Sequence, residues 1–296
     1  MAYNRLSCYS TTGNTGIKKL CSNDIGVLDG LILVPVGTSI ATEVLALTES
    51  TWKTAFKTTT NNRWFPMPLA NSVTPESQED KYFDRPLKGQ KFISEGKDAV
   101  KMMYDVNIYS HTQLRKFNNQ EWAAYRIDGN GNILGWSSDG VKFQPFDIQE
   151  FHIGKMTETD GATGVETPVK IIWKTPAQWN DSGVVISPTF DPREWEGVYN
   201  IDLTVTTPTT SSATLDIKFL GSDKGVDGLV KADLLVKNGS GATQTITTLT
   251  GNGNGNYTLA YTWSAGNYTI TTVAASAVSL TEFAIETVTT ATFTIS

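Results

Sequence analysis

From Val198 to Ser296 the chain alternates Thr, Ser, Gly and Asn with Val, Ile, Leu and Tyr, and between Asn238 and Thr281 it has no Asp, Glu, Lys or Arg. A period of two sends successive side chains to opposite faces, and Gly or Asn closing each run supplies a turn. The pattern dictates antiparallel strands. Val198–Thr206, Thr214–Leu220, Leu229–Lys237, Thr243–Thr250, Tyr257–Trp263, Tyr268–Ala274 and Phe283–Thr294 make about seven of them, at roughly the 8–12 residue spacing of a β-sandwich. The segment gathers no convergent titratable groups of the kind an active site needs. It reads as a surface module.

A chain of 296 residues is comfortable for two domains. A net charge of −6 argues against a nucleic-acid-binding face, which would need clustered Lys and Arg. The two cysteines, Cys8 and Cys21, fit folding in a reducing cytosol, with a disulfide between them left open. Met1-Ala-Tyr-Asn-Arg-Leu-Ser-Cys lacks a basic region followed by an apolar core, so no secretory signal is expected, and no apolar run reaches transmembrane length. An adhesin-like module without an export signal is ordinary for a virus particle assembled in the cytosol.

A domain boundary is expected at Ile186-Ser-Pro-Thr-Phe-Asp-Pro-Arg-Glu-Trp-Glu-Gly, where prolines and a Gly interrupt any regular element. Three parts follow: an extended arm over 1–29, a mainly antiparallel β-sandwich or barrel with two helices over 30–190, and the outer sandwich over 198–296. Gly30-Leu-Ile-Leu-Val-Pro-Val reads as a buried strand. A helix over Ser39–Lys57 is capped by Thr38 or Ser39, and Ile40, Val44, Leu45, Leu47, Trp52 and Phe56 fall on its apolar stripe. Trp64–Leu69, with its two prolines, reads as an edge or a bulged segment, Asn71–Asp80 as a polar, acidic loop, and Lys81–Leu87 with Gln90–Glu95 as a hairpin. Ala99–Tyr109 follows, then a second helix opened by the capping box Ser110-His-Thr-Gln113. Strands return at Glu121–Ile127, Ile133–Ser137, Val141–Phe143, Ile148–Glu158 and Thr167–Lys174.

The residues offer little chemistry. His111, at the first turn of the second helix, reads as exposed, and His152 lies on the polar face of a strand. No zinc spacing, nucleophile elbow, P-loop or dinucleotide fingerprint occurs in its required context, so neither an enzyme nor a cofactor or metal is expected. Asp128-Gly-Asn-Gly-Asn132 echoes half a calcium loop, but Ile133 replaces the turning Gly, and a hairpin turn is the simpler reading. Eight tryptophans, among them Trp122, Trp136, Trp173, Trp179 and Trp195, serve either core packing or subunit interfaces. Tyr257, Tyr261, Trp263 and Tyr268, if exposed, could stack on glycans, although alternating Tyr is the ordinary composition of a packed strand.

The order of the N-terminal strands, with the polar loop Asn71–Asp80, a long hairpin and the short helix Ser110–Asn118, resembles the tail tube proteins of long-tailed bacteriophages. The resemblance covers the whole chain in outline and rests on topology. It implies a virion structural protein that stacks as rings, hexameric in that family, around a DNA channel, with other virion proteins as partners and DNA passing through without specific binding. It also implies that the arm and the loop reach to the next ring, that Glu76, Glu79 and Asp80 lie near ring contacts or the channel, and that an immunoglobulin-like domain stands outside the tube. Weak binding of that domain to cell-surface glycans would be multivalent. A capsid auxiliary, decoration or head-fibre protein is the rival within virions, and a carbohydrate-binding adhesin the rival outside them. No membrane role is expected.

Overall fold

The computed structural model describes residues 25–58, 62–85, 89–158, 164–278, 280, 283–287 and 290–296. Cys8, Cys21 and most of the expected arm lie outside them. The chain forms two compact units: the first runs to Glu194 except for a short stretch beginning at Phe56, which belongs with Trp195–Ser296 in the second.

The first unit holds β1 (Leu28–Pro35), α1 (Glu43–Ala46), α2 (Glu49–Phe56), β2 (Phe65–Pro66), β3 (Ser72–Pro75), β4 (Lys81–Arg85), β5 (Gly89–Ser94), β6 (Ala99–Tyr104), α3 (Ile108–Leu114), β7 (Trp122–Asp128), β8 (Ile133–Trp136), β9 (Phe146–Ile153), β10 (Thr167–Trp173), α4 (Ala177–Asn180) and β11 (Gly183–Ile186). Strands run in the order β11-β8-β7-β9-β10-β6-β3, with β1 along the remaining edge of β7 and β2 beyond it. β8 bonds β7 only at Arg126 and Ile127, and β9 only at Ala123 and Ala124. The two therefore share one edge of β7, and β9 peels away to pair with β10. That departure folds the sheet into a sandwich whose core joins Leu31, Leu33, Trp122, Ala124 and Leu134 with Val100, Met102, Tyr104, Phe151, Val169 and Ile171.

β1 and β7 are buried on both faces, so β1 reads as a continuous apolar run. Leu31 and Leu33 enter the sandwich. Ile32 lies opposite Tyr125 on the other face, where Trp52 of α2 meets the Tyr125 ring edge-on at 5.0 Å. Arg126 is the exception among the inward residues. Its guanidinium lies 4.0 Å from the Trp173 ring centroid and 4.6 Å from that of Phe146, a cation–π arrangement, and burial pulls its pKa down to about 10.

Several expectations are corrected. The single helix over Ser39–Lys57 is two: Thr42 caps α1, and the Thr48 hydroxyl donates back to the Val44 carbonyl at 2.7 Å where the helix breaks. Val44 and Leu45 are consequently exposed, not core. Asn107, not Ser110, caps α3 by accepting from the Ser110 amide at 2.8 Å, and Gln113 accepts from Lys116. Val141–Phe143 contributes only an isolated bridge from Phe143 to Ile40. The short strand β11 and the turn α4 lie where alternation and apolar periodicity mark no element. Asp128 is nearly buried, and its carboxylate accepts from the amides of Gly26, Asn130 and Asn132 and from Asn132 Nδ2 at 2.8–3.0 Å. That makes 128–132 a carboxylate-braced hairpin turn.

The second unit holds β12 (Val198–Thr206), β13 (Ser212–Phe219), β14 (Leu234–Asn238), β15 (Thr243–Gln244), β16 (Thr248–Gly253), β17 (Asn256–Ala260), β18 (Gly266–Thr272), β19 (Ala284–Thr287) and β20 (Ala291–Ile295). A sheet ordered β16-β17-β13-β12-β19 faces one ordered β15-β14-β18-β20. Thr243–Thr250 and Phe283–Thr294, each expected as one strand, are each split between the two sheets, because the chain changes sheet within them. Inward residues from both sheets, among them Ile201, Leu215, Ile217, Leu259, Val236, Ile270 and Ile295, fill one core. The Tyr268 hydroxyl, near the start of β18, donates to the Ser264 carbonyl at 2.7 Å, the tyrosine corner of immunoglobulin-like sandwiches. The protein is mainly β, with this second unit immunoglobulin-like.

Candidate assembly surface

A cluster of exposed apolar side chains grows from the β3–β6 edge of the first sandwich. Asn71–Asp80 is not a free loop. Ser72–Pro75 pairs with Val100–Met103, and beyond it Glu76 N donates to Ala99 O at 2.8 Å and Gln78 N to Lys97 O at 2.9 Å. Gly96 N donates to Asp80 Oδ1 at 2.9 Å, and Lys81 pairs with Ser94. Pairing therefore runs from the sheet edge into the β4–β5 hairpin as one ribbon. A Cβ on Gly96 would lie 1.8 Å from the Gln78 carbonyl oxygen, so this crossing admits only glycine.

Every residue of β4 and β5 is exposed. Tyr82 opposes Phe92 on one face, their rings edge-to-face at 5.9 Å, whereas Phe83, opposite Lys91, takes the other; Ile93 is the unpaired residue of a bulge beside the Lys81–Ser94 pair. These four apolar side chains are each about half exposed, from 49% to 59%. A two-stranded ribbon without a core beneath it is marginal in water, and clustered exposed apolar groups mark surfaces that dock. Among the described residues the hairpin pairs with no further strand, so its outer edges present backbone N–H and C=O groups to any added strand.

Glu76, Glu79 and Asp80 all fall on the ribbon stem. Glu76 pairs with Lys170 at 3.2 Å, Asp80 braces Gly96, and Glu79 is exposed. The sequence placed attention on these carboxylates and passed over Tyr82, Phe83, Phe92 and Ile93. Their signal was two apolar residues adjacent in each arm, which break the alternation a half-buried hairpin would keep.

At the other end of the same sheet, Ile108, His111, Thr112, Met156, Thr157 and Val165 line an open groove of about 680 Å³. Ile108 and Val165 are exposed. His111 is buried, contrary to expectation, with Nδ1 2.9 Å from the Thr167 hydroxyl; burial and the nearby Arg115 hold its pKa below the ordinary imidazole value. His152 is exposed, as its strand alternation implies. No grouping of His, Cys, Asp and Glu able to hold a metal occurs among the described residues, and no described helix is long and apolar enough to cross a membrane.

The aromatic quartet of the second unit is no open glycan platform. Tyr257, Tyr261 and Tyr268 are buried, at 1%, 2% and 5% exposure. Their hydroxyls bond to the carbonyls of Val226, Thr209 and Ser264. Trp263 is half-buried, stacks on Tyr261 at 4.2 Å and on Tyr268 at 5.0 Å, and donates Nε1 to Thr245 O. These rings close the end of the core, as strand packing requires. Trp122, Trp173 and Trp195 are likewise buried.

No family model matches the chain. No curated protein matches it. Among solved structures it is similar to a tandem pair of titin Ig domains, at 9% identity over 57% of this chain and 88% of that one, with a TM-score of 0.14. A score that low carries no argument, and the immunoglobulin-like assignment of the second unit rests on its strand order and tyrosine corner.

Proposed function

We propose that this protein is a self-assembling structural subunit of a virion, a tail tube protein whose copies stack as rings around a channel. The observation that carries the reading is the β4–β5 hairpin: a ribbon anchored in a sandwich edge, with Tyr82, Phe83, Phe92 and Ile93 exposed and its outer edges paired with no other described strand. A monomer gains nothing from such a finger. Contact with further copies of the chain would cover it, and each contact can be modest because it repeats around a closed ring. The net charge of −6 suits a wall past which DNA slides without sticking. The immunoglobulin-like unit stands outside the tube in this reading, and six copies per ring is the number the topological resemblance suggests.

Negative-stain electron microscopy of the purified protein at rising concentration tests this directly. Hollow tubes of uniform width are the expected result. Monodisperse monomers at every concentration would overturn it, and monomers that bound empty phage heads would turn the assignment to a capsid accessory.

A further inference from the structure

We infer that the groove between α3 and the chain that follows β9 is a binding site for a small, neutral aromatic alcohol, with His111 as its anchor. The helix supplies the first wall. Ile108, His111 and Thr112 are spaced i, i+3 and i+4, so they share one face of α3. Met156, Thr157 and Val165 form the second wall, which the chain's own hydrogen bonds brace. Gly154 N donates to Pro168 O at 2.8 Å. Farther along, Thr157 N donates to Glu166 O at 2.8 Å, and Glu166 N donates to the Thr157 hydroxyl at 3.0 Å. Pairing between the two chain segments thus continues beyond β9 and β10 and fixes this wall. A site that is already formed binds without a large ordering cost.

The lining decides what fits. Its volume of about 680 Å³ falls within the roughly 300–1,000 Å³ of small-molecule sites. Both hydroxyls of the lining are occupied: Thr112 Oγ1 donates to Ile108 O at 2.9 Å, and Thr157 Oγ1 to Glu166 O at 3.0 Å. Lys155 and Glu158 stand exposed at the rim with opposite charges, so the groove favours neither an anion nor a cation. His111 is different. Only 8% exposed, it bonds Thr167 through Nδ1, and its Nε2 has no hydrogen-bond partner among the described residues. Nε2 is not one of the sealed, unpartnered side-chain atoms, so it opens on the groove that the ring lines. Burial and Arg115 keep this imidazole neutral at neutral pH. With Nδ1 engaged, Nε2 is one donor or one acceptor, according to where the proton lies in the bond to Thr167. A hydroxyl serves either case, being donor and acceptor at once. An ionised head group would give up its hydration to a groove of no net charge. The Met156 thioether favours an aromatic body over an aliphatic one. A phenol-like molecule of one or two rings meets all of these conditions.

Equilibrium dialysis of the full chain against 2-naphthol, and separately against 2-methylnaphthalene, tests the assignment. The second probe has the same rings with a methyl group in place of the hydroxyl, so burial of apolar surface alone favours it. The wild type should bind one 2-naphthol per chain, about 10-fold or more tightly than 2-methylnaphthalene, because the methyl group leaves Nε2 unpaired. His111→Phe should abolish that preference, with thermal melts to establish that the variant folds. Ile108→Glu/Val165→Glu alters exposed positions alone and should weaken both probes about 10-fold or more, so the site is tested even where His111→Phe unfolds. Equal or tighter binding of 2-methylnaphthalene by the wild type would overturn the assignment. So would 2-naphthol binding that Ile108→Glu/Val165→Glu leaves unchanged, which would move the probe to another surface such as that of Tyr82 and Phe92. N-acetyltyrosinamide bound more tightly than 2-naphthol would overturn the small-molecule assignment in favour of a peptide tyrosine. Each outcome reads the same whether or not the chain assembles.

Discussion

Asp128 shows how far one side chain can determine a turn. Its carboxylate satisfies four N–H donors from Gly26, Asn130 and Asn132 in a nearly dry site. Asp128→Ala would orphan them together, and a loss of about 3 kcal/mol is expected in urea denaturation of the first unit. His111 makes a prediction about pH. The unfolded chain titrates near 6.5 and the folded chain below it, so between those values the unfolded state binds more protons. Stability should therefore rise with pH through that window and be lost as pH falls through it. His111→Gln should flatten this part of the profile, and a difference between variant and wild-type melting temperatures that does not change between pH 7 and pH 5 would contradict it. At this scale the sequence was legible where a residue acts on its own neighbours, as Asp128 does. It misled where distant partners decide: His111 is buried and bonded to Thr167, and the closing of the second core takes in Tyr257, Tyr261 and Tyr268.

Elements were legible in proportion to how completely local alternation specifies them. β12 spans the residues that alternation marked, Val198–Thr206. The helix over Ser39–Lys57 failed because Thr48 offers its hydroxyl to the preceding turn and stops the first helical segment, a competition that apolar periodicity does not register. The ribbon was half legible. Alternation marks its hairpin but not its stem, because Ser77 and Asp80 pair through their side chains and Gln78 through its amide, and these polar residues carry no strand propensity of their own. Gly96 is the element's control point. Gly96→Ala must push the Gln78 carbonyl aside, which redirects the finger without touching either sandwich core. The expected outcome is a variant whose melting temperature changes by a few degrees at most and whose assembly, followed by light scattering, is lost. Normal tubes from that variant would show that the direction of the finger is immaterial.

For the whole molecule, the division near Ile186 to Gly197 was visible in its prolines, whereas the stretch at Phe56 was not. Phe56 lies edge-on against Trp195 at 5.3 Å, and Lys57 donates to the Leu280 carbonyl at 2.9 Å, so residues from the first third of the sequence belong physically with the second unit. Phe56→Ala should then lower the stability of the second unit by about 3 kcal/mol, read as faster amide exchange across β12 and β19. No pattern within Trp195–Ser296 could have revealed that dependence. The hairpin has a practical consequence for anyone handling the protein. Lys81 and Lys91 sit on its exposed strands, Arg85 is shielded from trypsin by the proline after it, and no Lys or Arg follows Lys237. A marginal ribbon opens more readily than a packed sheet, so brief trypsin treatment should nick free subunits first within β4–β5 and leave the distal half of the second sandwich in one piece. Subunits already joined would resist at Lys81 and Lys91, which makes a single gel lane a gauge of how much of a preparation has assembled.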